Sequence, residues 1–492
     1  MAREPKAFVL ALDIGSSSTR AALFDERGKR IAGSAAAKEY SIRYTREGAA
    51  ELDPLVVLKA SRQCVAQAIR AAGKGRIIAI SGSAFWHGLL ALDRQDQPLT
   101  AIFTWADSRA AADAAALRSE LSERTIQLRT GCMLRAPFWP AKLRWLKRTR
   151  PALLRRAARW VSPAGWVFQQ LFGASGTSHS MASGTGLYDL QRRTWDVELC
   201  ALCGVAIEKL GPVADVSPVR TGRFADADVF NAIGDGAASN LGSGANAAGK
   251  IAVNLGTSAA VRLVVPSRTP VRQVPHGFFR YVVNEERALV GGAVSNAGNL
   301  RRWCLRELRL GDKAEANRAR SRTAAADDTL TILPFWVEER APTWPEGLRG
   351  TIVGLTPETS APEILRATQT SVFYRLAAIL ERLESASGRA DEVIVSGGIL
   401  RSPASLAILA DCFARDIRVS DAMESSLRGA ALYALEHLGL EAAPLARGRL
   451  IKHRPQLAAK HRTRREQQDA LERGLSTSAL SADHRSRGAR RL

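Results

Sequence analysis

Long apolar segments are missing from this chain of 492 residues. No uncharged apolar run approaches the roughly 18 residues that a membrane-spanning helix needs. The apolar run over residues 7–12 is followed by Asp13 and by no cleavage-like site, so it is not typical of a secretory signal. We therefore expect a soluble cytoplasmic protein without a membrane partner.

Cysteine is scarce as well, with six residues scattered over the whole chain. This scatter excludes a small disulfide-stabilised module and is typical of reduced thiols in a cytosolic protein. Cys200 and Cys203 form the one C-x-x-C pair. Because it has neither a second pair nor a nearby histidine, we do not expect a metal or redox site there.

Acidic residues are outnumbered, since 48 Asp and Glu face 70 Lys and Arg and leave a net charge of +22. Residues 452–492 hold 11 of these basic residues against four acidic ones, and the remaining surplus is spread along the chain. A diffuse surplus differs from the basic stripe of a nucleic-acid-binding domain. We interpret it as a feature of overall composition that also attracts anionic small substrates, and nucleic-acid binding through the tail is a lesser alternative.

The chain does contain enough apolar sequence for a large core. Apolar residues make up 46% and charged residues 24%, close to the averages for globular proteins, which excludes global disorder. The length allows two large domains or about three of ordinary size.

A strand–turn–strand pattern occurs twice, about half the chain apart. Residues 7–25 contain an apolar strand, a Gly-Ser-Ser-Ser turn and a second strand, and residues 250–265 repeat this order. The matching turn positions are Asp13, Gly15 and Ser16 in the first copy and Asn254, Gly256 and Thr257 in the second. The repeat predicts two duplicated α/β lobes with a cleft between them.

Other segments fit this plan. The patterns predict strands over 76–81 and 392–396, core-facing helices over 362–385, 403–414 and 426–438, and a polar helix over 458–473. We predict an N-terminal lobe over residues 1–246, a C-terminal lobe over 247–475 and a basic, disordered tail over 476–492.

The two repeated turns are candidate phosphate sites. A glycine followed by hydroxyl residues brings backbone N–H and side-chain O–H donors towards an anion. One such turn is weak support, because surface turns are often rich in Gly and Ser, but a pair at equivalent positions is more specific. Asp13 ends the first strand, where its carboxylate could hold Mg²⁺ through water. Ordinary hairpin turns are the alternative interpretation.

Asp235 is a candidate general base. It stands between Gly234 and Gly236, ahead of a small-residue stretch suited to a tightly packed helix. Flanking glycines leave a carboxylate accessible, as a base that accepts a proton from a bulky hydroxyl compound requires. The alternative is a simple Gly-Asp-Gly turn.

Taken together in chain order, these motifs resemble the FGGY family of carbohydrate kinases from about residue 7 to 475. The resemblance depends on LDIGSSSTR at 12–20, WHG at 86–88, TWADSR at 104–109, GDG at 234–236, NLGTS at 254–258, SGG at 396–398 and GAA at 429–431. It implies an α/β fold of two actin-like, ribonuclease-H-like lobes around a central catalytic cleft, where ATP and a sugar meet.

The resemblance also implies roles for individual residues. Asp235 would be the catalytic base, and Asp13 would hold Mg²⁺. The nucleotide would be bound by Gly15, Ser16, Ser17, Ser18, Arg20, Gly256, Thr257, Gly298, Arg302, Gly397, Gly398 and Ser402. The sugar would be bound by Trp86, His87, Asp107, Arg109 and Phe138. For Asp107 and Arg109, a salt-bridged structural role is the alternative.

Within the family, the motifs at 104–109, 234–243 and 256–262 are most similar to the gluconokinase branch. This similarity implies phosphorylation of gluconate to 6-phosphogluconate. A sugar-acid carboxylate would need a cation or an N–H cluster, and Arg109, Lys142 and Arg135 are candidates.

Three departures from the usual family pattern leave the substrate open. Met-His is replaced by Trp86-His87, Gly-Asp-Gln is replaced by Gly-Asp-Gly at 234–236, and residues 160–173 lack the usual Asp-Tyr start. Xylulose, glycerol or another polyol is an alternative substrate, and a catalytically weak sugar-sensing homologue is an alternative function. We expect sugar and nucleotide as partners and no nucleic acid, and a homodimer is left open.

Overall fold

The computed structural model describes residues 6–217, 224, 226–270, 273–310, 329–422 and 424–488. The chain forms two compact units. Unit 1 consists of Met1–Ala248, Val264–Val290 and Ala422–Ala446, and unit 2 consists of Gly249–Leu263, Gly291–Asp421 and Arg447–Leu492. The chain therefore returns to unit 1 twice after residue 248.

Strands and helices alternate along most of the chain. The strands are β1 (Ala7–Ile14), β2 (Ser18–Asp25), β3 (Ala36–Glu39), β4 (Arg43–Tyr44), β5 (Ala50–Leu52), β6 (Arg76–Ala84), β7 (Leu90–Leu92), β8 (Ile102–Phe103), β9 (Arg159–Val161), β10 (Tyr188–Asp189), β11 (Thr194–Trp195), β12 (Asp228–Val229), β13 (Ile233–Gly234), β14 (Lys250–Leu255), β15 (Ala259–Pro266), β16 (Phe279–Val282), β17 (Arg287–Val294), β18 (Thr331–Leu333), β19 (Thr351–Val353), β20 (Glu392–Gly397), β21 (Ile417–Val419) and β22 (Leu450–Ile451). The helices are α1 (Pro54–Arg70), α2 (Ala111–Glu120), α3 (Glu123–Thr130), α4 (Trp139–Thr149), α5 (Pro151–Arg156), α6 (Pro163–Phe172), α7 (His179–Ser183), α8 (Val197–Cys203), α9 (Asp235–Ser243), α10 (Gly298–Glu307), α11 (Ala361–Ser387), α12 (Pro403–Phe413), α13 (Ser425–His437) and α14 (Pro455–Gly488).

The main sheet of unit 1 has the strand order β12-β6-β1-β2-β3, with β13 also paired to β6. Strands β1 and β2 form an antiparallel hairpin, while β6 runs parallel to β1, and β12 and β13 run parallel to β6. Strand β1 is buried along nearly its whole length, as expected of a parallel strand covered on both faces. The carboxyl ends of β1, β6 and β13 consequently lie at one edge of the sheet.

The second large sheet has the order β16-β17-β15-β14-β20-β21-β22. It repeats the arrangement of the first, because β14 forms an antiparallel hairpin with β15 and a parallel pair with β20. Both repeated hairpins predicted from the sequence are therefore confirmed.

The other predicted elements are also present. Strands β6 and β20 and helices α11, α12 and α13 cover the segments predicted over 76–81, 392–396, 362–385, 403–414 and 426–438. The polar helix predicted over 458–473 is longer, because α14 extends over Pro455–Gly488. The side chains of residues 477–488 and all of residues 489–492 lie outside the described residues, so the disordered tail over 476–492 stays a prediction.

All six cysteines are buried free thiols. Burial raises the pKa of Cys200 and of Cys203 to about 12, so both are unreactive thiols inside the protein. Among the described residues, no cluster of three or more His, Cys, Asp or Glu side chains could hold a metal ion. In the same part of the chain, no helix has the length and apolar character needed to cross a membrane.

Candidate active site

Three parallel strands of unit 1 end side by side and bring candidate residues together. Asp13 of β1 is paired with Ser83 of β6, and Gly234 at the end of β13 is paired with Ala84 of β6. Asp235 follows directly and begins α9. Because ligands of α/β sheets bind at the carboxyl ends of the strands, this edge is the natural place for a site in unit 1.

Asp13 is a buried carboxylate with little compensating charge. The Ser83 hydroxyl donates to its Oδ1 at 2.5 Å, and the Arg20 guanidinium is 4.0 Å from its Oδ2. Burial raises the pKa of Asp13 to about 6, and the carboxylates of Asp235 and Glu424 add to this rise, while Ser83 and Arg20 oppose it. Carboxylate oxygens are the ligands that Mg²⁺ prefers, so the position of Asp13 fits that ion.

Hydrogen bonds within the turn and from Tyr40 fix the first Gly-hydroxyl turn. The Gly15 N–H donates to the Ser18 carbonyl at 2.9 Å, and the Tyr40 N–H donates to the Ser17 carbonyl at 3.0 Å. The Tyr40 hydroxyl also donates to the Gly15 carbonyl at 2.7 Å. Ser16 is half-buried and Ser17 is exposed, so the tip of the turn is available to an anion.

Asp235 is fixed through the helix that it begins. The Gly236 N–H donates to Asp235 Oδ1 at 2.7 Å. Helix α9 packs backbone to backbone on α13, since a β-carbon at Gly242 or at Gly429 would overlap the main chain of the other helix. This confirms the tightly packed helix predicted after Asp235.

Trp86 lies beneath the residue that precedes Asp235. Its side chain is buried, and its indole N–H donates to the Ser180 carbonyl at 3.0 Å. The ring packs directly against Gly184 and Gly234 and leaves no room for a β-carbon at either position. Trp86 therefore defines the position of the backbone at the start of α9.

His87 belongs to an aromatic cluster. Its backbone has φ of 68°, which is uncommon for a residue with a side chain, and its Nδ1 is 2.6 Å from the Gly184 carbonyl. The imidazole lies edge-on to Phe138 at 4.7 Å and to Tyr281 at 5.9 Å between ring centres. Tyr281 also contacts Trp86, with ring centres 4.6 Å apart. The structure thus brings together three of the predicted sugar-binding residues, Trp86, His87 and Phe138.

Asp107 and Arg109 form a salt-bridged network. Arg109 donates to Asp107 through Nε at 3.0 Å and through Nη2 at 2.5 Å, and its Nη2 is 2.6 Å from Glu51. The guanidinium also lies 4.7 Å from the ring centre of Trp145. These contacts agree with the structural alternative considered for the pair, because Arg109 is engaged by two carboxylates and an aromatic face.

The remaining two candidates for a carboxylate ligand are engaged elsewhere. Arg135 donates to Glu123 at 3.0 Å. Lys142 is buried and directs its ammonium group to the backbone carbonyls of His87, Thr104 and Phe103. The structure therefore corrects the expectation that Lys142 is available to a substrate carboxylate.

In unit 2, the second Gly-hydroxyl turn meets the start of α10. The Gly298 N–H donates to the Gly256 carbonyl at 3.1 Å, and Arg302 Nη2 donates to the Thr257 hydroxyl at 3.2 Å. A β-carbon at Gly298 would overlap the Gly256 carbonyl. Four predicted nucleotide-binding residues are thus together at the start of α10, where the N–H groups of Gly298 and Asn299 donate to the carbonyls of Gly256 and Thr257.

The remaining predicted residues of unit 2 follow β20. Gly397 has φ of 94° and lies against the backbone of Leu255, so a side chain fits there neither in conformation nor in space. Gly398 begins a short 3₁₀ turn, and Ser402 caps α12, with its hydroxyl 2.8 Å from that of Ser405. Gly397 and Gly398 therefore lie beside Leu255 at the end of β14.

Comparisons with known proteins decide the family. The N-terminal domain of the FGGY family of carbohydrate kinases matches residues 8–223, and its C-terminal domain matches residues 251–436. The chain belongs to the FGGY family of carbohydrate kinases. Enzymes of this family transfer phosphoryl groups to sugars, and its sugar kinases use ATP as the donor.

Individual FGGY relatives do not agree on a substrate. The chain is 28% identical to the gluconokinase of Bacillus subtilis (strain 168) over 459 residues, which is 88% of each chain. It is similar to the crystal structures of a gluconate kinase and of a ligand-bound xylulose kinase, both from Lactobacillus acidophilus. The TM-score is 0.86 for each, at 26% and 25% identity, with 96% of this chain and 99% of the other covered. These similarities confirm the predicted actin-like α/β fold. They do not identify the substrate, because the gluconate kinase and the xylulose kinase have the same TM-score to this chain.

Sequence reasoning missed several residues of the site. Ser83 has a weak signal, because it follows a predicted strand and precedes the WHG motif. Glu424 precedes the GAA motif by five positions, but its effect on Asp13 depends on tertiary contact. No local pattern marks Tyr281.

Proposed function

We propose that this chain transfers the γ-phosphoryl group of ATP to a hydroxyl of a small sugar or sugar acid, with gluconate as the first candidate substrate and 6-phosphogluconate as its product. The observation that carries the proposal is the position of two carboxylates at neighbouring strand ends of unit 1. Asp13 lies near the end of β1, and Asp235 directly follows β13. One carboxylate sits where Mg²⁺ would be held, and the other begins a helix as an accessible base.

The reaction needs alignment and charge neutralisation more than covalent chemistry. The sugar hydroxyl oxygen forms a bond to the γ-phosphorus, the bond to the β–γ bridging oxygen breaks, and ADP leaves. Asp235 accepts the hydroxyl proton. Mg²⁺, when bound through Asp13, supplies positive charge to the phosphate oxygens.

The nucleotide roles follow the two Gly-hydroxyl turns. We assign the phosphates to the backbone N–H and hydroxyl donors of residues 15–18, with Arg20 nearby, and to Gly256 and Thr257. In unit 2 we assign Gly298 and Arg302 to the nucleotide, and Gly397, Gly398 and Ser402 to its adenosine. The contact of Arg302 with Thr257 supports grouping them.

The choice of gluconate is supported by the gluconokinase relative and by the gluconate kinase structure. A second candidate, a neutral sugar such as xylulose, is favoured by one specific observation. Arg109 and Arg135 are paired with carboxylates and Lys142 is directed to carbonyls, so a sugar acid would need another partner for its charge.

ADP release in the presence of Mg²⁺ tests these assignments. The panel is gluconate, other aldonates, xylulose, ribulose, glycerol and erythritol, with Asp235→Asn as the matched blank. Turnover of gluconate alone supports the first candidate, and turnover of a neutral polyol alone retains the kinase and replaces gluconate. Absence of turnover with every sugar would favour the sugar-sensing alternative.

The Asp235→Asn variant also tests the base directly. It should bind ATP and sugar with affinities near those of the wild type, as measured by calorimetry, while transfer is abolished. Near-normal turnover would place the base elsewhere. A homodimer and a cytoplasmic location stay predictions from the sequence.

A further inference from the structure

Lys142 is a buried residue in the first turn of α4. It is 1% exposed, and its Nζ donates to the carbonyls of His87 at 2.7 Å, Thr104 at 2.8 Å and Phe103 at 3.3 Å. An ammonium group has three hydrogens and no acceptor, so these three carbonyls match its donors in number.

Such a group is costly for the fold. Transfer of a charge from water to a protein interior is unfavourable, and a methionine would fill a similar volume without that cost. Burial accordingly lowers the pKa of Lys142, although Asp107 opposes this shift. Packing alone therefore gives no reason for a lysine here, whereas the three carbonyls do, since each would lose a donor without it. The carbonyls of Phe103 and Thr104 would keep the N–H donors of Leu89 and Asp107.

The carbonyl at 2.7 Å belongs to the turn at residues 86–88, which carries two predicted sugar-binding residues. Helix α4 holds the next residue as well, because the Trp139 indole N–H donates to the Gly88 carbonyl at 3.2 Å. Lys142 lies three residues after Trp139, so both side chains leave the same face of the helix. The turn is thus held by two donors from one rigid element, while His87 keeps a left-handed backbone.

The same carbonyl contacts link the turn to the TWADSR motif. Phe103 and Thr104 stand at the end of β8 and the start of that motif. On the other side of the turn, Trp86 packs against Gly234, the neighbour of Asp235. A displacement of residues 86–88 would therefore move the indole on which the start of α9 is placed.

We propose that Lys142 is a positioning residue for sugar phosphorylation: by donating to the carbonyls of His87, Thr104 and Phe103 it fixes the turn that presents Trp86 and His87. It acts through these residues and does not touch the sugar. The proposal rests on the proposed function of the Asp235 site. It predicts that loss of the Lys142 ammonium group weakens the enzyme's use of the sugar more than its use of the nucleotide.

Lys142→Met tests this inference against a matched control, Lys147→Met, which makes the same change at an exposed position of the same helix. With the sugar that the wild type phosphorylates, Lys142→Met should raise the sugar KM or lower kcat by about tenfold or more, with the ATP KM changed less than about twofold. Hydrogen–deuterium exchange of the free protein should increase over residues 84–90. Lys147→Met should match the wild type in all three measurements.

Several outcomes would overturn the inference. These are an unchanged sugar KM and kcat in Lys142→Met, an equal rise in the sugar and ATP KM values, or unchanged exchange over 84–90. If Lys142→Met does not fold, Trp139→Phe removes the donor to Gly88 while keeping an aromatic ring there, and it should raise the sugar KM by about threefold; no rise would count against the inference. If the wild type phosphorylates no sugar, the proposed function fails, while the exchange experiment still decides whether Lys142 holds the turn.

Discussion

The indole of Trp86 lies against Gly234, the residue immediately before the candidate base Asp235. Gly234 has φ of −65°, a conformation open to any residue, so the backbone does not require glycine here. The requirement comes from the ring, which occupies the space of a β-carbon. The contact of Trp86 with Gly234 therefore sets the backbone position just before Asp235.

Gly234→Ala should lower kcat by about a hundredfold, because the new methyl group must displace either the indole or the start of α9, and displacements near 1 Å have effects of this size. Steady-state ADP release measures it. Gly165→Ala is the control, since the nearest described atom would be 3.4 Å from its β-carbon. Equal turnover by Gly234→Ala and the wild type would contradict this account.

The two hairpins were predictable because their strands, turns and polar ends are consecutive in the sequence. Asp13 and Asp235 could be selected for the same reason, since Asp13 ends an apolar segment two residues before Gly15 and Asp235 stands between Gly234 and Gly236. Their proximity depends on parallel pairing of β1, β6 and β13, which no local pattern specifies.

Tyr281 and Glu424 could not be predicted, for a related reason. Both lie in segments that return to unit 1 after the chain has entered unit 2. Hydrophobic periodicity identifies a buried face but not the unit against which it packs. Lys142 illustrates the same limit, because a lysine in a sequence is expected at the surface, and its burial depends on three carbonyls from two distant segments.

Gly429→Ala should lower the free energy of unfolding by about 2 kcal/mol, because the methyl group would be forced into the main chain of α9. At an exposed position in a helix, the same substitution instead raises the free energy of unfolding, by up to about 1 kcal/mol. Gly474→Ala in α14 provides this control, since no described atom lies within 4 Å of its β-carbon. Chemical denaturation compares the two variants, and a shift of the same sign in both would contradict the close approach of α9 and α13.

The free energy of unfolding should depend on pH through the protonation of Lys142. Burial lowers its pKa from 10.5 to about 7, with Arg109 adding to the fall and Asp107 opposing it. Between pH 7 and pH 10.5 the unfolded chain binds more protons than the folded protein, so the free energy of unfolding rises with pH. Below about pH 7 the folded protein carries the full free-energy cost of the buried charge. Relative to Lys142→Met, the wild type should therefore gain stability from pH 7 to pH 10 in denaturant titrations. A constant difference across this range would mean that Lys142 titrates as an ordinary lysine.

In unit 2, the buried ion pair of Arg375 in α11 and Glu472 in α14 should make a single substitution costly. Their side chains are 2% and 7% exposed, and Arg375 also donates to Thr343 at 3.0 Å. Glu472→Gln should lower the free energy of unfolding by about 3 kcal/mol, because it removes the ion-pair partner of a buried guanidinium.

The exposed pair of Arg465 and Glu381 connects the same two helices and is the matched control. Glu381 is 59% exposed, so Glu381→Gln should cost less than about 1 kcal/mol. If Glu472→Gln and Glu381→Gln have equal effects in denaturant titrations, burial does not distinguish the two pairs, and α14 is held to α11 by apolar packing instead.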